Sequence, residues 1–446
     1  MENLKIDTAN FVVRERYLGA IEVFIDQPVV KVLKGMRRVG KSVIMRLLIE
    51  RLIESGVPGA SILYMNKESL EFDAVKDYRD LYRYAVDYFK ADASLGSAAR
   101  ASASDRAATT TTSASAAPGR KYILIDEIQE IEGWERAVAS FLADGLGDIV
   151  ISGSNAGLLS SELATLISGR YVEIPVYPLT FREFITFRNA RQEKLDKEDR
   201  TDTAADTETE FKNYLRYGGL PGIHQLPSND EVIFSYLNSI LNTVLYKDVI
   251  TRHKIRDASI FDKLVRYLFD NVGNITTAKK ITDYFKSQRI RTSVDTILNY
   301  INYIEASLLI DKAPRYDIKG KRHLEFFDKV FLNDIGLRHG LIGYRERDIN
   351  GLLENVVFKE LQARGYKMSI GVIDQMEIDF IAEKQNDKKY IQVCYSLGSE
   401  AAIEREFGNL EKIKDNYEKI VISMDRFFPA ERNGILHRYI IDFLLE

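Results

Sequence analysis

The chain has 446 residues, of which 45% are hydrophobic and 29% charged, and its formal net charge is −4. That is enough for roughly two to four domains with ordinary cores, while the slight negative balance excludes a protein that coats nucleic acid through its overall field and leaves only a local patch for such contact. The single cysteine, Cys394, excludes an internal disulfide or a multi-cysteine metal site; with no apolar run near the ~20 residues of a membrane span and no apolar core in Met1–Val13, the expectation is a cytoplasmic protein with no membrane partner.

The first predicted strand, Val29–Leu33, runs directly into Gly35-Met36-Arg37-Arg38-Val39-Gly40-Lys41-Ser42, and an amphipathic helix follows over Ser42–Ile53. The spacing is that of a P-loop, G-x-x-x-x-G-K-[ST], in its expected strand-to-helix context. Backbone N–H groups of such a loop converge on phosphate oxygens, glycines tolerate the dihedrals this needs, and the helix that opens there adds its positive dipole end. Lys41 reaches the β- and γ-phosphates and the Ser42 hydroxyl ligates Mg²⁺. The predicted ligand is a nucleoside triphosphate, ATP, with Mg²⁺.

A strand at Ile62–Met65 follows, and then Ala91–Gly119, almost all Ala, Ser, Thr and Gly, which reads as a flexible surface insertion. Tyr122–Ile125 is an apolar strand ending in Asp126 and Glu127, and such a run belongs in the middle of a parallel sheet with its carboxyl end beside the P-loop. Asp126 would hold Mg²⁺ and Glu127 would act as general base on the attacking water. After a helix at Trp134–Leu142, the buried strand Ile149–Ser152 leads to Ser154 and Asn155, either of which could orient that water or serve only as turn chemistry. Arg170, just before the strand Tyr171–Val176, could act in trans as a finger on the transferring phosphoryl group, or make only a surface ion pair. Strand–helix alternation at this spacing predicts an α/β domain with a covered parallel sheet over residues 1–190.

Arg188–Glu210 is dense in charge and reads as a solvated linker or helix end. Helices are predicted at Phe211–Tyr217 and Glu231–Val249, split by Gly218-Gly219-Leu220-Pro221-Gly222, then at Ser259–Asn271, Thr277–Lys286 and Ser293–Glu305. Strands at Leu308–Arg315 and His323–Phe331 close the composition of a winged helix-turn-helix over 255–335. On DNA, Ser293–Glu305 would enter the major groove, with Arg289, Arg291, Lys319, Lys321 and Arg322 on phosphates. Yet Asp295, Asn299, Tyr300, Asn302, Tyr303 and Glu305 on that helix are not basic, so a protein partner stands equally beside DNA. A helix from Gly351 and strands at Met368–Val372, Glu377–Ala382, Tyr390–Ser396 and Lys419–Ser423 complete the chain.

The P-loop, Asp126-Glu127-Ile128-Gln129, Gly133-Trp134-Glu135, Ser152–Asn155, Ser168-Gly169-Arg170, Tyr177–Phe184 and Tyr217–Pro221 together resemble an AAA+ ATPase of the prokaryotic group with a C-terminal domain of unknown function. The resemblance spans nearly the whole chain outside the Ala/Ser/Thr insertion. It implies that Asp126 and Glu127 are the Walker B pair, that Ser154 or Asn155 is sensor-1-like, that Arg170 is a finger, that a helical lid covers 208–250, and that a homo-oligomer is open to the chain. Residues 345–446 resemble the restriction-endonuclease-like (PD-(D/E)XK) fold, with Glu354 on its first helix and Asp379 on a strand. Where that family has an acid and then a lysine, this chain has Gln392-Val393-Cys394, so nuclease activity is not expected. The sequence therefore points to an ATPase whose C-terminal half engages DNA or protein. A nucleotide-gated switch with little turnover and an ATP-coupled nuclease are the alternatives.

Overall fold

The computed structural model describes residues 11–100, 119–156, 165–167, 169–195, 206–374 and 376–446. The chain divides after Val176 into two compact units.

In the first unit five strands form one parallel sheet: β1 (Val30–Lys34), β2 (Ile62–Asn66), β3 (Tyr122–Asp126), β4 (Asp148–Gly153) and β5 (Tyr171–Pro175), in the order β2-β3-β4-β1-β5. The Ile, Leu, Val and Tyr runs of β3 and β4 have no polar face, so they are stable only where helices cover both sides. All of β3 and β4 is buried. One cluster joins Val30, Val32, Ile123, Ile125, Ile149 and Ile151 to Phe89, Trp134 and Phe141 on the helices Tyr78–Arg100 and Trp134–Ala143. β3 is interior as expected, but β4 separates it from β1, so the Asp126 strand is not the neighbour of the P-loop strand. Of the stretch read as a flexible insertion, residues 91–100 continue the helix from Tyr78, because alanine-rich sequence extends an existing helix at little cost, and residues 101–118 lie outside the described residues.

In the second unit, helices Phe181–Leu195, Thr207–Tyr217 and Asp230–Thr243 come first; of the charged stretch between the first two, 196–205 lie outside the described residues. The helix predicted over Glu231–Val249 is α-helical only to Thr243 and continues as a π-helix over Val244–Thr251. Helices Ala258–Asp270, Ala278–Ser287 and Val294–Ala306 then lead into the hairpin β7 (Ile310–Asp317) and β8 (Arg322–Leu332), with the short β6 (Ile275–Thr276) on the far side of β8. The hairpin is not a free wing. β7 pairs in parallel with β9 (Lys367–Ile373), and the sheet continues through β10 (Met376–Lys384), β11 (Asp387–Cys394), β12 (Glu418–Ser423), β14 (Ile435–Tyr439) and β13 (Glu431–Arg432), nine strands in all. The sheet thus runs straight across the border that the sequence drew between residues 335 and 345.

The motifs Tyr177–Phe184 and Tyr217–Pro221 meet at one buried carboxylate. Asp334 accepts from Gly219 N at 2.7 Å and from Leu337 N at 3.2 Å, capping the helix Ile335–Ile342, while Leu179 N donates to Gly219 O at 2.7 Å. A Cβ on Gly219 would lie 2.4 Å from Leu179 O, so only glycine permits this approach. Among the described residues no helix is long and apolar enough to cross a membrane.

Candidate functional site

The P-loop lies between β1 and the helix Lys41–Glu54. Its ends are fixed by sterics: a Cβ on Gly35 would sit 2.4 Å from Val176 O, and Gly40 has φ +100° at the helix N-cap. Arg38 also holds a positive φ, +68°. Alternation of left-handed and ordinary residues turns successive N–H groups to one side, which makes an anion nest. The buried Arg14, which the sequence did not single out, braces the loop by donating to Val39 O at 3.0 Å.

Lys41 is buried, and its ammonium donates to Gly35 O at 2.9 Å and Met36 O at 3.1 Å. It also lies 3.3 Å from Glu127 Oε1. Although β4 lies between β1 and β3, all the strands are parallel, so both groups emerge at the same carboxyl edge. Glu127 has φ +55°, a conformation that costs a non-glycine residue about 1–3 kcal/mol and that clusters at functional sites. Ser154 Oγ donates to Glu127 Oε2 at 2.9 Å, and Gln129 Nε2 donates to the same oxygen. Burial alone would push the Glu127 carboxyl up, but Lys41, Gln129, Arg37 and Ser154 together hold it below its ordinary value.

Asp126 is fully buried at the end of β3. Its Oδ1 accepts from Ser152 Oγ, and Ser152 also receives Glu127 N at 3.2 Å. Its Oδ2 is buried and meets no hydrogen-bond donor. Burial pushes the Asp126 carboxyl up, with the hydroxyls of Ser152 and Ser42 acting against it. A buried carboxylate oxygen without a donor, next to a hydroxyl, fits a hard cation that takes its remaining ligands from phosphate and water.

The structure thus brings together Gly35–Ser42, Asp126, Glu127 and Ser154. Asn155 follows, half-buried. Arg170 is not brought there: its carbonyl accepts from Val30 N at the start of β1, whereas the P-loop follows the end of β1. The five residues of β1 separate the two, roughly 16 Å at the usual rise. Ser152 and Gln129, which the resemblance motifs contain but to which the sequence assigned no role, also reach these carboxylates; their positions one strand-end turn from Ser154 and Glu127 were the available signal.

A second cluster of charge lies in the C-terminal unit. Glu354, Glu377 and Asp379 surround Lys329 Nζ at 2.6, 2.9 and 3.6 Å. Lys329 comes from β8, whereas Cys394 ends β11. Gln392 Oε1 accepts Asp379 N at 2.7 Å, and Val393 N donates to Asp379 Oδ2 at 2.8 Å. Cys394 is buried, and its thiol is pushed up to about 12 by burial and the carboxylates nearby. Burial opposes charge on Lys329, but the three carboxylates raise its pKa overall, so the ammonium persists. These residues do not fit a divalent cation, because the ammonium already occupies the space between the carboxylates. Among the described residues no group of three or more His, Cys, Asp or Glu could hold a metal.

A P-loop between strand and helix, in a five-stranded parallel sheet with an acidic pair on an interior strand, defines the AAA-type P-loop ATPase fold. Residues 27–185 match the AAA domain family, and residues 208–348 match a domain of unknown function, DUF8612. The chain is 36% identical over 433 residues to an uncharacterized protein of Haemophilus influenzae, covering 97% of this chain and 98% of that one, and it belongs to the same family of AAA-domain proteins. An uncharacterized protein of Methanocaldococcus jannaschii is 31% identical over 300 residues, 66% of each chain. Among solved structures, the Walker-type ATPase paby2304 of Pyrococcus abyssi shares the fold at a TM-score of 0.53 and 14% identity, over 76% of this chain and 98% of that one.

Proposed function

We propose that the first unit binds ATP with Mg²⁺ and hydrolyses it. The carrying observation is the unpartnered Asp126 Oδ2 beside Ser42, at the same sheet edge as the Lys41–Glu127 pair. The P-loop amides of Gly35–Ser42 would take the phosphates, and Lys41 would exchange two backbone carbonyls for phosphate oxygens. Asp126 and Ser42 would hold Mg²⁺, which supplies charge neutralisation on the phosphates. With Lys41 drawn to phosphate, Glu127 loses its closest counter-ion and becomes a stronger acceptor for a proton from water, with Ser154 and Gln129 orienting it. The choice of ATP over another triphosphate rests on the family resemblance. Calorimetric titration with ATP and Mg²⁺ tests the reading, with Lys41→Ala as control; no heat from the wild-type chain would overturn it.

A second reading, a nucleotide-gated switch with little turnover, is favoured by the same carboxylate. Lys41, Gln129 and Ser154 all engage Glu127, so the base must be released before it can work. Tight ATP binding with negligible steady phosphate release would select it. In either reading, Arg170 can act only across a subunit boundary, so its role as a finger requires a homo-oligomer.

For the C-terminal half, the expected recognition helix turns Val294, Asp295, Leu298, Asn299 and Asn302 outward, while Tyr300 is buried and Tyr303 stacks on His253 at 3.9 Å. Exposed Val294 and Leu298, one turn apart, favour a protein partner. DNA contact rests on exposed Arg289, Arg291, Lys321 and Arg322, the last only loosely paired with Asp317 at 4.0 Å, since Lys319 is held by Asp374. Retention on DNA that weakens steeply with salt and with Lys321→Ala plus Arg322→Ala would select DNA. The nuclease alternative is disfavoured by Lys329 filling the carboxylate cluster of a domain that resembles the restriction-endonuclease-like fold; plasmid cleavage lost in Asp379→Ala would restore it.

A further inference from the structure

The P-loop carries a second long cation besides Lys41. Arg37, the third residue of the loop, is nearly buried, and its guanidinium bridges two other loops at the carboxyl edge of the sheet. Its Nη1 donates to Glu68 Oε1 at 3.0 Å, just beyond β2, and its Nη2 lies 3.9 Å from Glu130 Oε1, on the turn after β3. Glu130 is three residues beyond Glu127, and the positive charge of Arg37 is among the influences that keep Glu127 ionised. Arg37 is therefore a guanidinium on the loop that would cradle the phosphates, held by carboxylates of the loops after β2 and β3.

We propose that Arg37 is an arginine finger in cis, exchanging Glu68 and Glu130 for the γ-phosphate of bound ATP and stabilising the charge of phosphoryl transfer. The inference rests on the ATPase reading above and deepens it by naming the cation of that site. Three physical arguments carry it. Glu68 is about half exposed, so water screens its side of the ion pair, and a triphosphate with several negative charges competes for the guanidinium. Arginine offers a planar fork of donors that matches two phosphate oxygens, which a lysine cannot reproduce. Arg170 lies at the opposite end of β1 and leaves the role unfilled within one chain.

In the step, a water oxygen bonds to the γ-phosphorus and the bond from that phosphorus to the bridging oxygen breaks, with its electron pair leaving on ADP. One water proton passes to Glu127 and is later released to solvent. Arg37 forms and breaks no covalent bond; it interacts most strongly with the charge spread over the equatorial oxygens at the midpoint of transfer.

The alternative is a structural tie that merely joins the loops after β1, β2 and β3. Arg37→Ala and Arg37→Lys, in the full chain, separate the two. ADP affinity is measured by calorimetry, then affinity for ADP with aluminium fluoride, which mimics the transferring group, then steady phosphate release. The expected result for both variants is ADP affinity within about 3-fold of wild type, with turnover and the extra affinity for the fluoride complex each reduced on the order of 10²–10³-fold. Near-wild-type turnover and fluoride-complex affinity in Arg37→Lys overturn the finger and support the tie, as does an equal loss of ADP binding. Mixing Arg37→Ala with Lys41→Ala should restore nothing; restored turnover would place the finger across subunits and overturn the assignment in cis. If the wild-type chain binds neither ADP nor ATP, the ATPase reading itself fails, an outcome distinct from each of these.

Discussion

Two regions of this molecule set a buried lysine against carboxylates, and they differ in what the lysine can do. Lys41 sits at a loop-to-helix junction, rests on two carbonyls of its own loop, and faces Glu127 at 3.3 Å. Lys329 is rooted in β8 and is enclosed by Glu354, Glu377 and Asp379. The first leaves Asp126 Oδ2 unpartnered and the Ser42 hydroxyl close by, so charge can enter. The second fills its own cavity: burial and the neighbouring Asp379 push the Glu354 carboxyl up, with Lys329 acting the other way. A lysine on a loop can be traded for a ligand, whereas a lysine fixed in a sheet remains an internal counter-ion.

The largest effect should come from Glu127, the proposed base of the first cluster. Glu127→Gln should lower turnover on the order of 10²–10⁴-fold while keeping nucleotide binding, measured by phosphate release alongside calorimetry; unchanged turnover would break the contrast at its functional end. Lys329→Met should destabilise the full chain by about 3–5 kcal/mol in urea unfolding, because three carboxylates lose their shared cation. Lys41→Met should cost clearly less, since Glu127 keeps Gln129 and Ser154. Equal losses in the two variants would erase the distinction between a mobile and a fixed lysine.

Asp334 extends the comparison to a buried carboxylate held by backbone N–H groups. Burial pushes it up to about 6, with Gly219 and Leu337 N–H acting the other way. Its folded pKa exceeds its unfolded one, so the native state binds the extra proton. Its contribution to stability is full below about pH 4 and is lost as pH rises through about 6. The difference in unfolding free energy between wild type and Asp334→Asn should therefore drift across that window by up to about 3 kcal/mol, read from urea midpoints at each pH; a flat difference would mean that the carboxyl is ionised throughout. The smallest change should follow Arg322→Ala, whose ion pair with Asp317 is exposed: a shift under about 1 kcal/mol by the same measurement.

Much of the first unit was legible because its signals are local. The strands Val29–Leu33 and Tyr122–Ile125 and the helix Ser42–Ile53 were read within about a residue of their observed ends, since buried parallel strands are continuous apolar runs. The helix Ile335–Ile342 escaped notice because its Gly336, Arg338 and His339 are buried by tertiary partners rather than by an apolar stripe. Ser152 and Gln129 stood in the motifs without a role for a related reason: hydroxyl and amide groups at strand ends look like turn chemistry until the carboxylate they touch is placed.

By itself the sequence determined the phosphate cradle, because eight consecutive residues carry the glycines, the lysine and the hydroxyl that a triphosphate needs. It also determined which strand ends bear Asp126 and Glu127. Only the tertiary structure decided that Arg170 lies at the far end of β1, that the hairpin β7–β8 is built into the C-terminal sheet, and that Lys329 stands among Glu354, Glu377 and Asp379. Strand order and register join residues dozens to hundreds of positions apart, and local periodicity carries no record of which strand becomes the neighbour of which.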